Sequence, residues 1–140
     1  MPIAYCQEEY TIELLNAKFN SWFVFGDNMM REGCSGQSVI RGCRNAIGVV
    51  TKYEPSKSPI AFFSDRGIKQ IMPVLVEDLA KIEAKLDRGE VVYWPAKGIG
   101  TGRARLKHHA PRIFDYIIEK RDHFFRTYPK LDDEKFHNLF

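Results

Sequence analysis

Short blocks of apolar residues along the chain predict four β-strands. Residues 21–25 (SWFVF), 47–50 (IGVV) and 91–94 (VVYW) are rich in β-branched and aromatic residues, which favour strands. Residues 2–6 predict a shorter strand at an edge of the sheet. The strand at 21–25 is predicted to stop in a turn at Gly26-Asp27-Asn28, since these three residue types together are typical of turns.

Between the strands, apolar residues recur at helical spacing. Thr11 is placed to cap a short helix that continues to Phe19, and residues 38–41 predict a second short helix. Pro111 lies near the start of a final helix. The segment from Tyr128 onwards is expected to add a terminal helix or to pack across the surface.

The longest helix is predicted over residues 69–88. Pro73 fits only near its start, and Gly89 is suited to the position just beyond its end. Its buried face is predicted to carry Ile71, Leu75, Leu79, Ile82 and Leu86. Its solvated face is predicted to carry Glu77, Asp78, Lys81, Glu83 and Lys85.

Strands that alternate with helices, each strand a short apolar block, predict an α/β fold. We expect three layers, with a mainly parallel or mixed sheet flanked by helices, and a single domain spanning residues 1–140. The 140 residues are enough for one hydrophobic core, and ten Phe argue against disorder. The net charge of +3 permits anionic ligands without the concentrated basic stripe of a typical nucleic-acid-binding protein.

Several features of the sequence bear on the location of the protein in the cell and on metal binding. No apolar run is long enough to span a membrane, and the first ten residues lack the apolar core of a signal peptide. Cys6, Cys34 and Cys43 make an odd count without a C-x-x-C pair, which favours reduced thiols in the cytoplasm. His108 and His109 are adjacent, and residues adjacent on a helix point in different directions, so we expect no metal site.

A glycine-rich loop follows the strand at 91–94. Gly98, Gly100 and Gly102 precede a helical pattern near Leu106, and a loop between strand and helix can direct backbone N–H groups at an anion. The loop is then a cradle for a diphosphate, or else a tight turn that only redirects the chain. It is neither a P-loop, which needs a following Lys and Ser/Thr, nor a Rossmann fingerprint, whose third glycine is replaced by Arg103.

Three strand ends carry turn or polar residues, at positions 26–28, 51–52 and 98–102. In a parallel sheet these ends meet on one rim, where open α/β sheets bind their ligands. The sequence therefore predicts a binding site at this rim.

These residues resemble a macrodomain, the ADP-ribose-binding fold, over roughly residues 22–118. The likeness is closest to macrodomains that remove ADP-ribose from glutamate or from nucleic-acid bases, including the DarG type, and to small phage and bacterial macrodomain-like proteins with an F-G-D-N turn. Residues 99–106 resemble that family's second phosphate loop, and residues 33–38 resemble the first. Residues 47–52 (IGVVTK) resemble the strand that supplies its catalytic lysine, which places that role on Lys52.

Two departures from the family pattern bear on activity. Ala104 stands where the glutamate-deconjugating enzymes have an acidic residue. The N-terminal strand lacks a recognisable adenine-contacting Asp, for which Glu8 or Glu9 could substitute.

The predicted site combines catalytic and ligand-binding candidates. Lys52 is the candidate nucleophile, and Asp27 is the candidate general base. The candidate ligand-binding residues are Asp27, Asn28, Gly33, Gly36, Gln37, Thr51, Lys52, Gly98, Ile99, Gly100, Thr101, Gly102 and Arg103. Five of them have a plainer alternative: a surface lysine for Lys52, backbone turn capping for Asp27 and Asn28, a helix start for Gln37, and a solvated arginine for Arg103.

Three functions remain open at this stage. The first is a module that binds ADP-ribose or a related nucleotide diphosphate, free or on an ADP-ribosylated macromolecule. The second is an ADP-ribosyl hydrolase that uses Lys52, with Asp27 or Asp65 replacing the missing carboxylate. The third is a protein-interaction domain whose ligand site is vestigial.

Overall fold

Four parallel strands form the centre of the fold in this computed structural model, which describes residues 3–128. They are β1 (Ile3–Cys6), β2 (Ser21–Asn28), β3 (Ala46–Lys52) and β4 (Val91–Pro95), in the spatial order β1-β4-β2-β3. Every pairing between these strands is parallel, and β1 is an edge strand as predicted. All five residues of β4 are buried, as expected of a central strand covered on both faces.

Helices cover both faces of the sheet. Helix α2 (Ile68–Asp87) and helix α4 (Pro111–Thr127) pack on one face, and helix α1 (Ile12–Ala17) and the 3₁₀ helix Gly36–Ile40 pack on the other. A short helix α3 (Leu106–His109) precedes α4, and 3₁₀ turns at Pro59–Ala61 and Asp65–Gly67 lie between β3 and α2. The three-layer α/β fold is therefore confirmed. None of the helices between residues 3 and 128 combines the length and apolar character needed to cross a bilayer.

Local signals in the sequence place several helix ends correctly. The Thr11 hydroxyl accepts a hydrogen bond from the Leu14 N–H at 3.1 Å, which caps α1. Gly89 adopts a φ of +80°, and the Glu90 N–H donates to the Lys85 carbonyl, which closes the end of α2. Most of the segment from Tyr128 onwards, which was predicted to add a helix or pack on the surface, lies outside the described residues.

The turn predicted at Gly26-Asp27-Asn28 is wrong. These residues continue β2, with Gly26 opposite Val49 and Asp27 opposite Val50. The turn begins only at Met29. Pairing with β3 overrides the local turn preference, because the ladder satisfies backbone groups that a turn would leave to water.

The prediction that Asp78 lies on the solvated face of α2 is also wrong. Asp78 is only 1% exposed, whereas the five apolar residues predicted for the buried face are buried. Its carboxylate accepts hydrogen bonds from the Arg31 guanidinium at 2.7 Å and from the Val50 N–H at 3.0 Å. Burial raises the pKa of Asp78, while Arg31 and the Val50 N–H oppose that rise. Asp78 thus ties α2 to the outer edge of β3.

Replacing Asp78 with Ala should lower the free energy of unfolding by about 2 kcal/mol. The change leaves a buried N–H on β3 without an acceptor and Arg31 without its closest partner. Urea denaturation would measure the loss, with Glu77→Ala on the exposed face of the same helix as the matched control, expected to change stability by less than about 0.5 kcal/mol. Equal effects from the two substitutions would contradict a structural role for Asp78.

Candidate functional site

A cleft opens where β2 and β4 diverge. The two strands pair only from Ser21 opposite Val91 to Phe23 opposite Tyr93, after which β2 continues alongside β3 alone. The cleft has a volume of about 340 Å³ and lies at the carboxyl ends of the strands. Crevices at this position are where open α/β sheets bind ligands.

Gln37, in the first glycine-rich loop (residues 33–38), bonds across this gap to β2 and to the second glycine-rich loop (residues 98–102). Its side-chain oxygen accepts a hydrogen bond from the Gly26 N–H at 2.9 Å, and its side-chain nitrogen donates to the Gly98 carbonyl at 2.9 Å. Gln37 therefore replaces the strand pairing that β4 no longer provides. Its amide holds the walls of the cleft together, a role that its local sequence does not reveal.

The predicted site residues come together almost completely. The cleft is lined by Asp27, Asn28, Gly33, Gly36, Gln37, Thr51, Lys52, Gly98, Gly100, Thr101, Gly102 and Arg103, all of them predicted. The lining also includes Gly26, Glu32, Ser35, Ser38, Arg41, Pro55 and Ala104, which the sequence analysis did not place among the site residues.

Ile99 is placed differently from the prediction. Its side chain is 2% exposed, belongs to the hydrophobic core on the α2 side of the sheet, and does not line the cleft. An apolar residue within a glycine-rich loop gains more free energy in the core than at a polar cleft wall. Ile99 therefore anchors the loop from below.

The two loops present a series of unpaired backbone donors. Within the described part of the chain, the N–H groups of residues 33–37 and of residues 99–104 donate to no protein acceptor. An N–H without a protein partner must bond to water or to a ligand. Both loops line one cleft, and free N–H groups that open into it are suited to the oxygens of a diphosphate.

The glycines of the second loop have two different roles. Gly98 and Gly100 adopt φ values of +83° and +71°, which L side chains rarely adopt. A Cβ on Gly100 would also lie 3.0 Å from the Leu106 side chain. Gly102 has no such restraint, and a Cβ there would point into open space. Gly98 and Gly100 therefore shape the loop, whereas Gly102 leaves space for a ligand to reach the loop backbone.

Lys52 lies at the mouth of the cleft with a perturbed amine. Its Nζ donates to the Ser56 carbonyl at 2.8 Å and lies 5.1 Å from the centre of the Phe62 ring. Burial lowers the pKa of Lys52, the positive charge of Arg103 lowers it further, and Glu54 opposes the shift. A lowered pKa increases the fraction of free amine, which a nucleophilic lysine needs.

Asp27 is held by two arginines. Its carboxylate accepts hydrogen bonds from Arg41 Nε at 3.2 Å and from Arg31 at 3.3 Å, and it also accepts one from the Asn28 N–H at 2.8 Å. A Cβ on Gly48 would lie 2.5 Å from its Oδ2, so the glycine leaves room for the carboxylate. Both carboxylate oxygens of Asp27 are therefore engaged by arginines.

Two other predicted residues have their polar atoms engaged by the protein. The Asn28 amide accepts a hydrogen bond from the Met30 N–H at 3.0 Å and donates to the Glu32 carbonyl at 2.8 Å. The Thr51 hydroxyl donates to the Asp27 carbonyl at 3.1 Å. Both residues line the cleft, and these side-chain bonds shape its floor and the turn after β2.

Asp65, named as a replacement carboxylate, does not line the cleft. Its two oxygens accept hydrogen bonds from the N–H groups of Arg112 and Ile113 at 3.2 and 3.3 Å. These are free donors in the first turn of α4, so Asp65 caps that helix from a neighbouring element.

A smaller pocket of about 200 Å³ adjoins the cleft. The two share Gly36 and Gln37, and the pocket is also lined by residues 6–10 and by Lys97. Glu8 and Glu9, the residues weighed as substitutes for an adenine-contacting Asp, both lie in this lining. Two carboxylates therefore lie beside the cleft.

Potential metal ligands are not clustered within residues 3–128. No group of three or more His, Cys, Asp or Glu side chains in this range is arranged to hold a metal ion. The rings of His108 and His109 lie against each other, with centroids 4.9 Å apart, although adjacent helical residues were expected to diverge. The three cysteines, all among the described residues, are free thiols.

Comparisons with known proteins give a family but no characterised relative. Neither the comparison with curated proteins nor the comparison with solved structures returned a match. A family model matches residues 5–120, which run from β1 into α4 and include every residue that lines the cleft. The chain belongs to this family, described as a family of unknown function (DUF7831).

Proposed function

We propose that this protein binds ADP-ribose or a related nucleotide diphosphate in the cleft between the two glycine-rich loops. The observation that carries the proposal is the set of backbone N–H groups at residues 33–37 and 99–104 that have no protein acceptor. Between them they offer donors to both phosphates of a diphosphate, and Gly102 leaves the approach open.

The charges around the loops support the same ligand. Lys52 and Arg103 bring positive charge to the mouth of the cleft, where phosphate oxygens would lie. In the adjoining pocket, Glu8 and Glu9 provide acceptors for the exocyclic amine of an adenine. A ligand with a diphosphate at its centre and a base at one end matches this order of groups, and the macrodomain resemblance suggests ADP-ribose.

Hydrolysis of an ADP-ribosyl bond is the second candidate, favoured by the lowered pKa of Lys52. The amine would attack the anomeric carbon of the ring-opened ribose, and the bond from that carbon to the acceptor group would break, with the acceptor leaving. Water would then hydrolyse the resulting Schiff base, which releases ADP-ribose and restores the Lys52 amine. This mechanism also needs a catalytic carboxylate, and Ala104 stands at its usual position. Of the two proposed replacements, Asp27 is paired with two arginines and Asp65 caps α4. Glu32 is the other carboxylate in the described cleft lining, and it would have to take this role. We therefore favour binding over turnover.

Calorimetry with ADP-ribose separates these two functions from the third, a protein-interaction domain with a vestigial site. We expect the wild-type protein to bind and Gly102→Val to weaken affinity at least about tenfold, because the valine side chain would occupy space that the diphosphate needs. The thermal unfolding midpoint of the variant should stay near that of the wild type, since a Cβ at this position meets nothing within 4 Å.

Gly42→Val is the matched control, since a Cβ there also meets nothing within 4 Å and Gly42 does not line the cleft. It should retain full affinity. Gly100 is unsuitable as a probe, because its φ of +71° and its contact with Leu106 make any substitution destabilising. Absence of binding by the wild-type protein, or equal affinities for the Gly102 and Gly42 variants, would contradict the proposal.

Lys52→Ala distinguishes a binding module from a hydrolase. For a binding module the variant should lose affinity modestly, by about 1 kcal/mol, as one partly solvated charge contact is removed. For a hydrolase it should retain binding and lose turnover, because a nucleophile acts in the transition state. We expect no turnover of ADP-ribosylated glutamate or DNA by the wild type. Borohydride trapping of an adduct on Lys52 would show this expectation to be wrong.

A further inference from the structure

A second groove lies along the outer edge of β3. It has a volume of about 360 Å³ and is separate from the ligand cleft except for Asp27 and Arg41, which line both. Residues 46–48 of β3 form its floor. Its walls are completed by Arg31, by Trp22 and Phe25 of β2, and by Asp78, Lys81 and Lys85 of α2.

The floor of this groove is unpaired strand backbone. The Ala46 N–H donates to the Cys43 carbonyl and the Val50 N–H donates to Asp78, so both of these groups point away from β2. Gly48 lies midway between them, and alternate residues of a strand direct their backbone groups to the same side. Its N–H therefore also points away from β2, and it donates to no loop or side-chain acceptor among the described residues. Gly48 is half-buried and has no side chain to cover this edge.

Cations surround this backbone in fixed positions. The Lys85 ammonium lies 4.0 Å from the centre of the Trp22 ring, and the Arg41 guanidinium lies 5.7 Å from that of Phe25. Arg31 and Arg41 are partly neutralised by the two aspartates, whereas Lys81 and Lys85 add charge without a salt-bridge partner among the described residues. The groove therefore carries an excess of positive charge beside a free strand edge.

We propose that this groove binds an acidic, extended peptide segment of a partner protein, which adds a short strand to the edge of β3. The Gly48 N–H and the carbonyls of Ala46 and Gly48 form main-chain hydrogen bonds to the peptide. Acidic side chains on one face of the peptide meet Lys81 and Lys85, and the excess positive charge of the groove selects for them.

A single-stranded nucleic acid is the less suitable polyanion. Such strands bind by stacking bases on exposed aromatic faces. Lys85 already lies over the Trp22 ring, and the Arg44 guanidinium lies 5.9 Å from the same ring. A free strand edge, moreover, matches a peptide backbone and not a sugar–phosphate chain.

The probe is a fluorescent pentapeptide of alternating Glu and Val, acetylated and amidated, measured by fluorescence polarisation and by NMR of the labelled full-length protein. We expect it to bind at low salt, to shift the Gly48 amide resonance, and to weaken as salt is added. The double variant Lys81→Glu/Lys85→Glu should weaken binding about tenfold.

Two controls separate strand addition from general charge attraction. Lys69→Glu/Lys107→Glu, which makes the same charge change at exposed positions outside the groove, should leave binding unchanged. Two further peptides carry N-methyl groups on either the odd-numbered or the even-numbered amides. One of the two should bind at least about tenfold more weakly than the unmethylated peptide, because methylation removes the main-chain donors that face β3. Equal binding of all methylated peptides, an unchanged Gly48 resonance, or tighter binding of oligothymidylate than of the peptide would overturn the proposal.

Discussion

The buried carboxylate of Asp27 is the interaction on which the rest of the site depends. It lies near the end of β2 and joins Arg31, in the turn that follows, to Arg41, after the first glycine-rich loop. Arg31 extends this pairing to Asp78 on α2, and Asp78 in turn holds the edge of β3. One carboxylate thus links two loops, a helix and two strands. A charge so buried is costly without partners, so the surrounding cations are a requirement of the fold.

This arrangement divides the cleft between groups that build it and groups that remain available. Gln37, Asn28 and Thr51 have their polar atoms engaged in hydrogen bonds within the protein. The backbone N–H groups of the two loops have no such partners, and Lys52 and Arg103 add positive charge beside them. What the protein leaves free is therefore a set of donors and cations, which is what an anionic ligand requires. These three side chains, which the sequence predicts as ligand contacts, hold the walls of the cleft in place.

The sequence predicts the layers of the fold and the rim of the site because both depend on local patterns. Short apolar blocks and one amphipathic helix define the sheet and its cover, and the parallel arrangement then brings three strand ends together. The failures have a different cause. Asp78 follows the helical pattern of a surface residue, but it is buried by Arg31, 47 positions earlier in the chain. Residues 26–28 have turn chemistry, yet β3 extends the strand through them. Ile99 lies in a polar loop, but the core takes its side chain. Each failure comes from a contact between distant residues that no local pattern encodes.

The most direct measurement of ligand recognition is an amide NMR titration with ADP-ribose. The resonances of residues 33–37 and 99–104 should shift together and saturate at one ligand concentration, because their N–H groups exchange water for phosphate oxygens. The amides of residues 91–93 in β4 and of the central turns of α2 should shift little by comparison, because their N–H groups are already bonded within the sheet and the helix. Saturable shifts confined to the two loops and to residues 6–10 of the adjoining pocket, with Gly102 among the largest, are the predicted result. Shifts spread over the whole surface, or a spectrum unchanged by ADP-ribose, would contradict the assignment of this cleft as a nucleotide diphosphate site.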